Sequence, residues 1–220
     1  MKVEEKFGGV FFIDGRITTR NLVKDFKVHG ERLVGIEGIQ YRYWDPYRSK
    51  LAAAIIKGMK TMPIKSGSGV LYLGAAAGVT PSFISDIVGK KGAVYCVEFA
   101  PRSMRDLLYV CEKRSNMLPL LADARKPEEY EGEVGKVDVI YEDVAQPDQD
   151  KIMIRNAEKF LKKGGYAMLA IKSQSVDVTK EPDEIYKKML GKLEGHFEII
   201  DSYELSPFDK DHLFVLMRKH

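Results

Sequence analysis

Long apolar runs are missing from this chain. No stretch approaches 18 consecutive apolar residues, so no ordinary membrane-spanning helix is expected. The first residues, MKVEEKFGG, are charged and lack an apolar segment, so no secretory signal is visible. Cysteine is scarce. Cys96 and Cys111 each sit inside an apolar pattern and read as reduced core thiols of a cytosolic protein rather than a disulfide or metal site. Three Asn and four Gln stand against plentiful Lys and Glu, a balance seen in thermophilic proteins.

The 220 residues, 45% hydrophobic and 30% charged, suit one full domain and a small second one. The net charge of +3 is uneven. Residues 1–65 carry 13 Lys and Arg against 7 Asp and Glu, a net of +6, and the remainder is net negative. A basic front could face an anionic polymer, although charge alone is explained as well by a solvated surface.

Residues 7–47 show short apolar runs with turn signals at Asp14-Gly15 and His29-Gly30, which predicts a small β module ending near Asp45-Pro46. SKLAAAIIKGMK (49–60) predicts a helix capped by Ser49. From Gly69 strands and helices alternate. Strands are expected at 70–73, 93–97, 117–121, 137–141, 166–171, 197–205 and 212–218. Helices are expected from a Thr80 N-cap to Val88, from Pro101 with Met104, Leu107, Leu108 and Cys111 on one face, at 149–161 ended by Gly164-Gly165, and at 181–193. This spacing implies an α/β fold, a doubly wound and mostly parallel sheet, with the last two strands antiparallel at one edge. The predicted division is residues 1–48 for the β domain and 49–220 for the α/β domain.

Ligands of open α/β sheets bind beyond the carboxyl ends of the strands. Each strand here ends on polar or small residues: Gly74 to Thr80, Glu98, Asp123, Glu142-Asp143 and Lys172. The loop Gly74-Ala75-Ala76-Ala77-Gly78-Val79-Thr80 permits close backbone approach and opens a helix, whose N-terminus favours an anion. It carries neither G-K-[ST] nor G-x-G-x-x-G, so a carboxylate-bearing ligand fits better than a pyrophosphate. Glu98 is placed to accept ribose hydroxyls, and Asp123, followed by small Ala124, to accept from an adenine amine. Adenosine with an amino-acid end is S-adenosylmethionine.

The segments YRYWDPYRSKLAAAI, VLYLGAAAGVTPSFISDIVG, VYCVEFAPRSMRDLL, DVIYEDVAQPDQ, FLKKGGYAMLAIKSQSVDVT and SPFDKDHLFVLMRK together resemble fibrillarin in its archaeal form, over nearly the whole chain. The resemblance implies a seven-stranded class I methyltransferase sheet with a small N-terminal β domain. It implies 2′-O-ribose methylation of rRNA and tRNA directed by box C/D guide RNA in a ribonucleoprotein. The partners it implies are guide and target RNA, a Nop5-type Nop-domain scaffold and a kink-turn-binding ribosomal-type protein, with no membrane. It leaves open a homodimer through the β domain. It implies a cytoplasmic archaeal protein, since the Gly/Arg-rich tail of eukaryotic members is absent. Cofactor contacts carried over are Val79, Thr80, Glu98, Phe99, Asp123, Ala124, Asp143, Val144, Ala145 and Gln146. The catalytic set carried over is Lys50, Asp143, Lys172 and His212. Either Lys172, with its pKa lowered by burial or a neighbouring cation, or Asp143 is expected to take the 2′-hydroxyl proton.

The family's loop usually reads Gly-Ala-x-Ser-Gly-Thr-Thr, and here Ala77 and Val79 stand where hydroxyl residues do. Two other readings therefore stay in play: methylation of a protein glutamine, and a non-catalytic cofactor-binding assembly subunit. For several residues a plainer role competes. Lys172 is a snorkelling lysine, Lys50 a solvated helix face and His212 a strand cap. Arg102 and Arg105 contact RNA or solvent. Tyr43 and Trp44 stack on a base or are buried between domains.

Overall fold

A computed structural model describes residues 2–220 of the chain. The N-terminal part is an antiparallel sheet of β1 (Val3–Phe7), β2 (Val10–Ile13), β3 (Arg16–Arg20), β4 (Leu33–Ile36) and β5 (Ile39–Tyr43), in the order β1-β2-β3-β5-β4. Asp14 and Gly15 both have positive φ and join β2 to β3, as two-residue hairpin turns require. Glu37-Gly38 makes the same turn between β4 and β5. His29-Gly30 instead lies inside the connection between β3 and β4.

The larger part contains α1 (Lys50–Ile56), β6 (Gly69–Leu73), α2 (Val79–Val88), β7 (Ala93–Glu98), α3 (Pro101–Lys113), β8 (Met117–Leu121) and β9 (Val137–Glu142). It continues with α4 (Gln149–Phe160), β10 (Leu161–Lys172), α5 (Ser173–Val176), α6 (Pro182–Leu193), β11 (Phe197–Glu204) and β12 (His212–Lys219). The seven strands run β11-β12-β10-β9-β6-β7-β8. Strands β8, β7, β6, β9 and β10 are parallel, while β12 is antiparallel to both β10 and β11. Strand order reverses between β6 and β9, so the crevice expected of such sheets opens at their carboxyl ends.

Side chains alternate along β9. Val139 and Tyr141 join the core under α1, α2 and the N-terminal sheet, and Ile140 joins the core under α4 and α6. Each face of the sheet is therefore covered by helices, which explains its nearly continuous apolar strands. Cys96 and Cys111 are buried free thiols. Among the described residues no helix is long and apolar enough to cross a membrane, and no cluster of metal-ligating side chains forms.

Several local expectations are corrected. Helix α1 stops at Ile56, because Gly58 takes φ +101 and its amide turns back to the Ile55 carbonyl. Thr80 does not cap α2. Gly78, with φ +83, holds the N-cap position, and Pro81 is the third helical residue. Leu108 is exposed, and Val110 takes the buried place beside Leu107 and Cys111. Gly164-Gly165 do not end α4. The chain passes at Leu161 directly into β10, and the glycines form a bulge there. A Cβ at Gly165 would meet the Lys162 and Asp138 carbonyl oxygens at 2.9 and 3.0 Å.

The N-terminal sheet is fastened to the larger part by buried charge. Arg42 Nη2 donates to Glu31 Oε1 at 2.6 Å and Arg42 Nη1 to Asp86 Oδ2 at 2.8 Å, while Arg114 Nη1 donates to Asp86 Oδ1 at 2.6 Å. Trp44 is buried and stacks on Phe83 at 4.9 Å, as the inter-domain reading expects, rather than presenting its ring to a base.

Candidate active site

Two strand ends cross closely at the crevice. Gly74 follows β6, Asp143 follows β9, and the Asp143 amide donates to the Leu73 carbonyl at 2.9 Å. Gly74 has φ +82, and a Cβ there would lie 2.5 Å from the Asp143 carbonyl oxygen. Only glycine fits. Gly74→Ala is expected to weaken binding of the S-adenosylmethionine that the sequence implies by about tenfold or more, the factor that roughly 1.4 kcal/mol of backbone strain produces. Calorimetric titration of the folded variant checks this, and unchanged affinity would count against the crossing as part of the cofactor site.

A cleft of about 270 Å³ opens beside this crossing. Of the predicted cofactor residues, Gly74, Glu98, Phe99, Asp123, Ala124, Asp143, Val144, Ala145 and Gln146 line it. Ala75, Gly78, Val79 and Thr80 do not. Ala75 is buried, and Gly78 packs on Leu107 of α3. The Thr80 hydroxyl donates to Ser49 Oγ at 3.0 Å, at the cap of α1. Ala76, from the loop singled out in the sequence, also lines the cleft, together with Ser103, Arg125 and Ile152, which were not foreseen. The signals that point to Arg125 and Ser103 are an Asp-x-Arg spacing and a hydroxyl one turn into the helix after Glu98.

Each Glu98 oxygen accepts one backbone amide, from Ala76 and from Ala100, both at 2.7 Å. That fixes the carboxylate and leaves lone pairs for hydroxyls of a ligand. Ala76 makes this contact at φ +47, a strained value for a residue with a Cβ. The Asp123 carboxyl is held below its usual range by hydrogen bonds from the Arg125 guanidinium, against its partial burial. Phe99 is 66% exposed at the lip, an apolar ring placed to cover a flat aromatic ligand.

The four predicted catalytic residues come from distant segments of the chain. Lys50 opens α1, and its Nζ lies 3.0 and 3.1 Å from the two Asp143 carboxylate oxygens. Burial alone would lower the Lys50 pKa, but Asp143 and Asp209 outweigh it and raise the value. His212 does not cap an edge strand. It opens β12, second from the edge, whose reversed direction brings its first residue opposite Lys172 at the end of β10. The Lys172 side chain has no hydrogen bond or ion pair among the described residues, while its amide is held by Gln149 Oε1 at 3.3 Å. Gln149 is fully buried and also donates to the Val144 carbonyl at 2.6 Å, tying the β9 loop to the end of β10.

Asp209 lies against two of these four residues. Its carboxylate lies 3.6 Å from Lys50 Nζ and 2.9 Å from His212 Nδ1. The Lys210 carbonyl also faces Nδ1 at 2.7 Å. Two acceptors around one ring nitrogen assign the proton of neutral imidazole to Nδ1 and leave the lone pair on Nε2. The sequence signal was an acid three residues before the histidine, in the segment SPFDKDH.

Glu142 sits directly behind the site. It is the last residue of β9, not a solvated strand terminus, and period two puts it on the same face as Ile140. Its carboxyl is fully buried with no hydrogen-bond partner among the described residues. Burial, then the neighbouring Asp148, Asp150 and Asp143, push its pKa well above the usual range. A raised carboxyl leaves folding unaffected below the unfolded-state pKa and opposes it increasingly above. The stability gap between Glu142→Leu and the parent is therefore expected to move in favour of the variant by up to roughly 1.4 kcal/mol per pH unit above the ordinary glutamate range. Urea unfolding at about pH 4 and about pH 8 measures it, and a pH-independent gap would contradict the burial argument.

A sequence model of the family described as Fibrillarin matches residues 1–220. The fibrillarin-like rRNA/tRNA 2′-O-methyltransferase of Pyrococcus furiosus is 52% identical over 221 residues, covering 98% of this chain and 97% of that protein. The crystal structure of Aeropyrum pernix fibrillarin with natively bound S-adenosyl-L-methionine is similar at TM-score 0.91 and 49% identity, covering 99% of this chain and 98% of that one. A fibrillarin in complex with Nop5p is similar at TM-score 0.91 and 40% identity, covering 99% of this chain and 100% of that one.

Proposed function

The chain belongs to the fibrillarin family, and from that premise we propose that it methylates ribose 2′-hydroxyls of rRNA and tRNA with S-adenosylmethionine, directed by box C/D guide RNA. The observation that carries this reading is the convergence of Lys50, Asp143, Lys172 and His212 at one end of the sheet, beside the cleft.

The cleft fits the cofactor on its own geometry. Gly74 gives close backbone approach, the Glu98 carboxylate is pre-set to accept ribose hydroxyls, and Asp123 faces the same space. When bound, S-adenosylmethionine supplies an electrophilic methyl group. Ala77 and Val79, where the loop departs from the family pattern, do not line the cleft, which weakens the non-catalytic reading.

The chain's own residues have to orient the 2′-hydroxyl and receive its proton. Lys50 locks Asp143 by holding both of its oxygens, leaving lone pairs that can accept the hydroxyl hydrogen. The Lys172 ammonium, free of acid partners among the described residues, is available to stabilise the developing oxyanion. His212 Nε2 offers the further acceptor that Asp209 has prepared. Positioning of this kind is worth several orders of magnitude without a strong base.

The reading includes a Nop5-type scaffold and a kink-turn-binding protein, which would deliver a guide–target duplex to a chain whose net charge is only +3. It also includes self-association through the N-terminal sheet, whose edge strands β1 and β4 carry unpaired backbone groups.

The deciding experiment is transfer of radiolabelled methyl from S-adenosylmethionine to a guide–target duplex. It runs with and without both partners, with a 2′-deoxy control at the target position. Label confined to the target ribose and lost in the deoxy control supports the reading. Label recovered in protein and insensitive to ribonuclease would replace it.

A further inference from the structure

A second concavity, of about 540 Å³, lies between the N-terminal sheet and α1. Three separate segments bring arginines to it: Arg16 from the start of β3, Arg32 from just before β4, and Arg48 from the turn before α1. All three are exposed. Arg16 and Arg32 have no carboxylate within ion-pair distance among the described residues. Their guanidinium carbons lie 5.9 and 5.4 Å from the ring of Tyr43, which they flank. Arg48 meets Asp45 only at 3.9 Å on a solvated surface. Glu31 also borders the space, but its carboxylate is paired with buried Arg42. Asp45 also lines the groove and offsets part of the charge of Arg48, but three arginines against that one carboxylate leave the groove positive, with Arg16 and Arg32 unpaired among the described residues.

Its position gives that charge a use. Phe208 lines the groove, and the next residue, Asp209, reaches Lys50 of the catalytic set at 3.6 Å. Arg48 precedes Lys50 by two residues. Tyr47, 66% exposed, packs edge-on against Phe208 at 5.1 Å, so aromatic surface and guanidinium alternate toward the site.

Resting on the methyltransferase reading, we propose that this groove binds the phosphodiester backbone of the RNA strand that carries the target ribose, next to the nucleotide held at Asp143. Guanidinium forks match phosphate oxygens, and cations from three segments along one groove suit a repeating anion better than a single carboxylate. Aromatic rings interleaved with arginine suit unpaired bases without selecting their sequence, which fits an enzyme whose targets are chosen by base pairing.

The test uses the assembled particle. Arg16→Ala/Arg32→Ala is compared with Lys90→Ala/Lys91→Ala, a basic pair at the opposite end of the strands, before β7. The groove variant is expected to raise KM for target RNA about tenfold or more and to flatten its salt dependence by about one unit of slope for each phosphate left without its arginine. S-adenosylmethionine affinity and scaffold assembly should hold, and the remote pair should change nothing. In parallel, 4-thiouridine beside the target nucleotide, on either the target or the guide strand, is photo-crosslinked to the parent protein. Crosslinks from the target strand to peptides covering residues 29–32 or 43–48 support the proposal. Crosslinks from the guide strand alone would overturn its choice of strand. An unchanged KM with an active parent would overturn the groove and leave the methyltransferase reading intact. Loss of scaffold assembly with RNA affinity retained would make the groove a protein-docking surface and overturn it too. If the parent methylates no RNA, the functional reading fails, and the crosslink decides the groove by itself: target-strand crosslinks to those peptides uphold it and their absence overturns it.

Discussion

Lys172→Met is expected to slow methyl transfer by about 10²- to 10⁴-fold, the range supplied by a positioned proton-transfer or charge-stabilising group. S-adenosylmethionine affinity should be unchanged, because Lys172 does not line the cleft proposed to hold the cofactor. Two lysines at this site differ in how their charge is used. Lys50 is bound to both Asp143 oxygens and lies near Asp209, so its charge is already committed to shaping the carboxylate. Lys172 stands at the same end of the sheet with its ammonium free of acid partners among the described residues. Its backbone is fixed by Gln149 and by pairing with His212. A methionine keeps most of the stem and removes the charge and the donors. Single-turnover transfer under saturating RNA, paired with calorimetric cofactor binding, separates the two effects. A rate within about threefold of the parent, well under the contribution of a positioned group, would remove Lys172 from the chemistry and leave Asp143 and His212 as the proton acceptors.

Asp86→Ala is expected to destabilise the fold by about 3–5 kcal/mol, the usual cost of stripping one partner from a buried ion network. The Asp86 side chain is fully buried and accepts from Arg42, Arg114, the Thr19 hydroxyl and the Leu22 amide. Removing it leaves two buried guanidinium groups facing each other. Asp86→Asn, which keeps a hydrogen-bonding group, should lose less. Guanidinium unfolding of the three proteins at fixed pH gives the ordering. A loss under about 1 kcal/mol for the alanine variant would mean that the arginines reach water or other acceptors. The same network makes a pH prediction with a definite sign. Burial would raise the Glu31 carboxyl, but Arg42 and the His29 and Val28 amides hold it down to about 2. Its contribution is complete above the ordinary glutamate range and is lost as pH falls toward about 2.

Much of the site was legible because it is written locally. A run such as VDVIYED shows where an apolar strand stops, and alternation of strands with helices says that such stops share one edge. Gly74, Glu98, Asp123 and Asp143 were found this way, and each lines the cleft. Thr80 was misplaced for an equally local reason. Thr-Pro is a strong helix-start signal, but Gly78 in the left-handed region had already turned the chain. Glu142 and Asp143 look alike in sequence. Strand parity alone sends one into the core and the other to Lys50.

The amino-acid sequence by itself determined the order of elements, the sheet edge that carries the chemistry and the kind of ligand that edge accepts. These depend on periodicity, turn residues and strand ends, all of which act over a few residues. The tertiary structure decided which charged groups meet. Strand β12 returns against the others and sets His212 beside Lys172, and the loop before it drops Asp209 between His212 and Lys50. Asp86 draws together Arg42 and Arg114 across 44 and 28 residues of chain. A charge carries no periodicity and its partner is chosen by proximity in space, so no local pattern announces such a pair until the chain has closed around it.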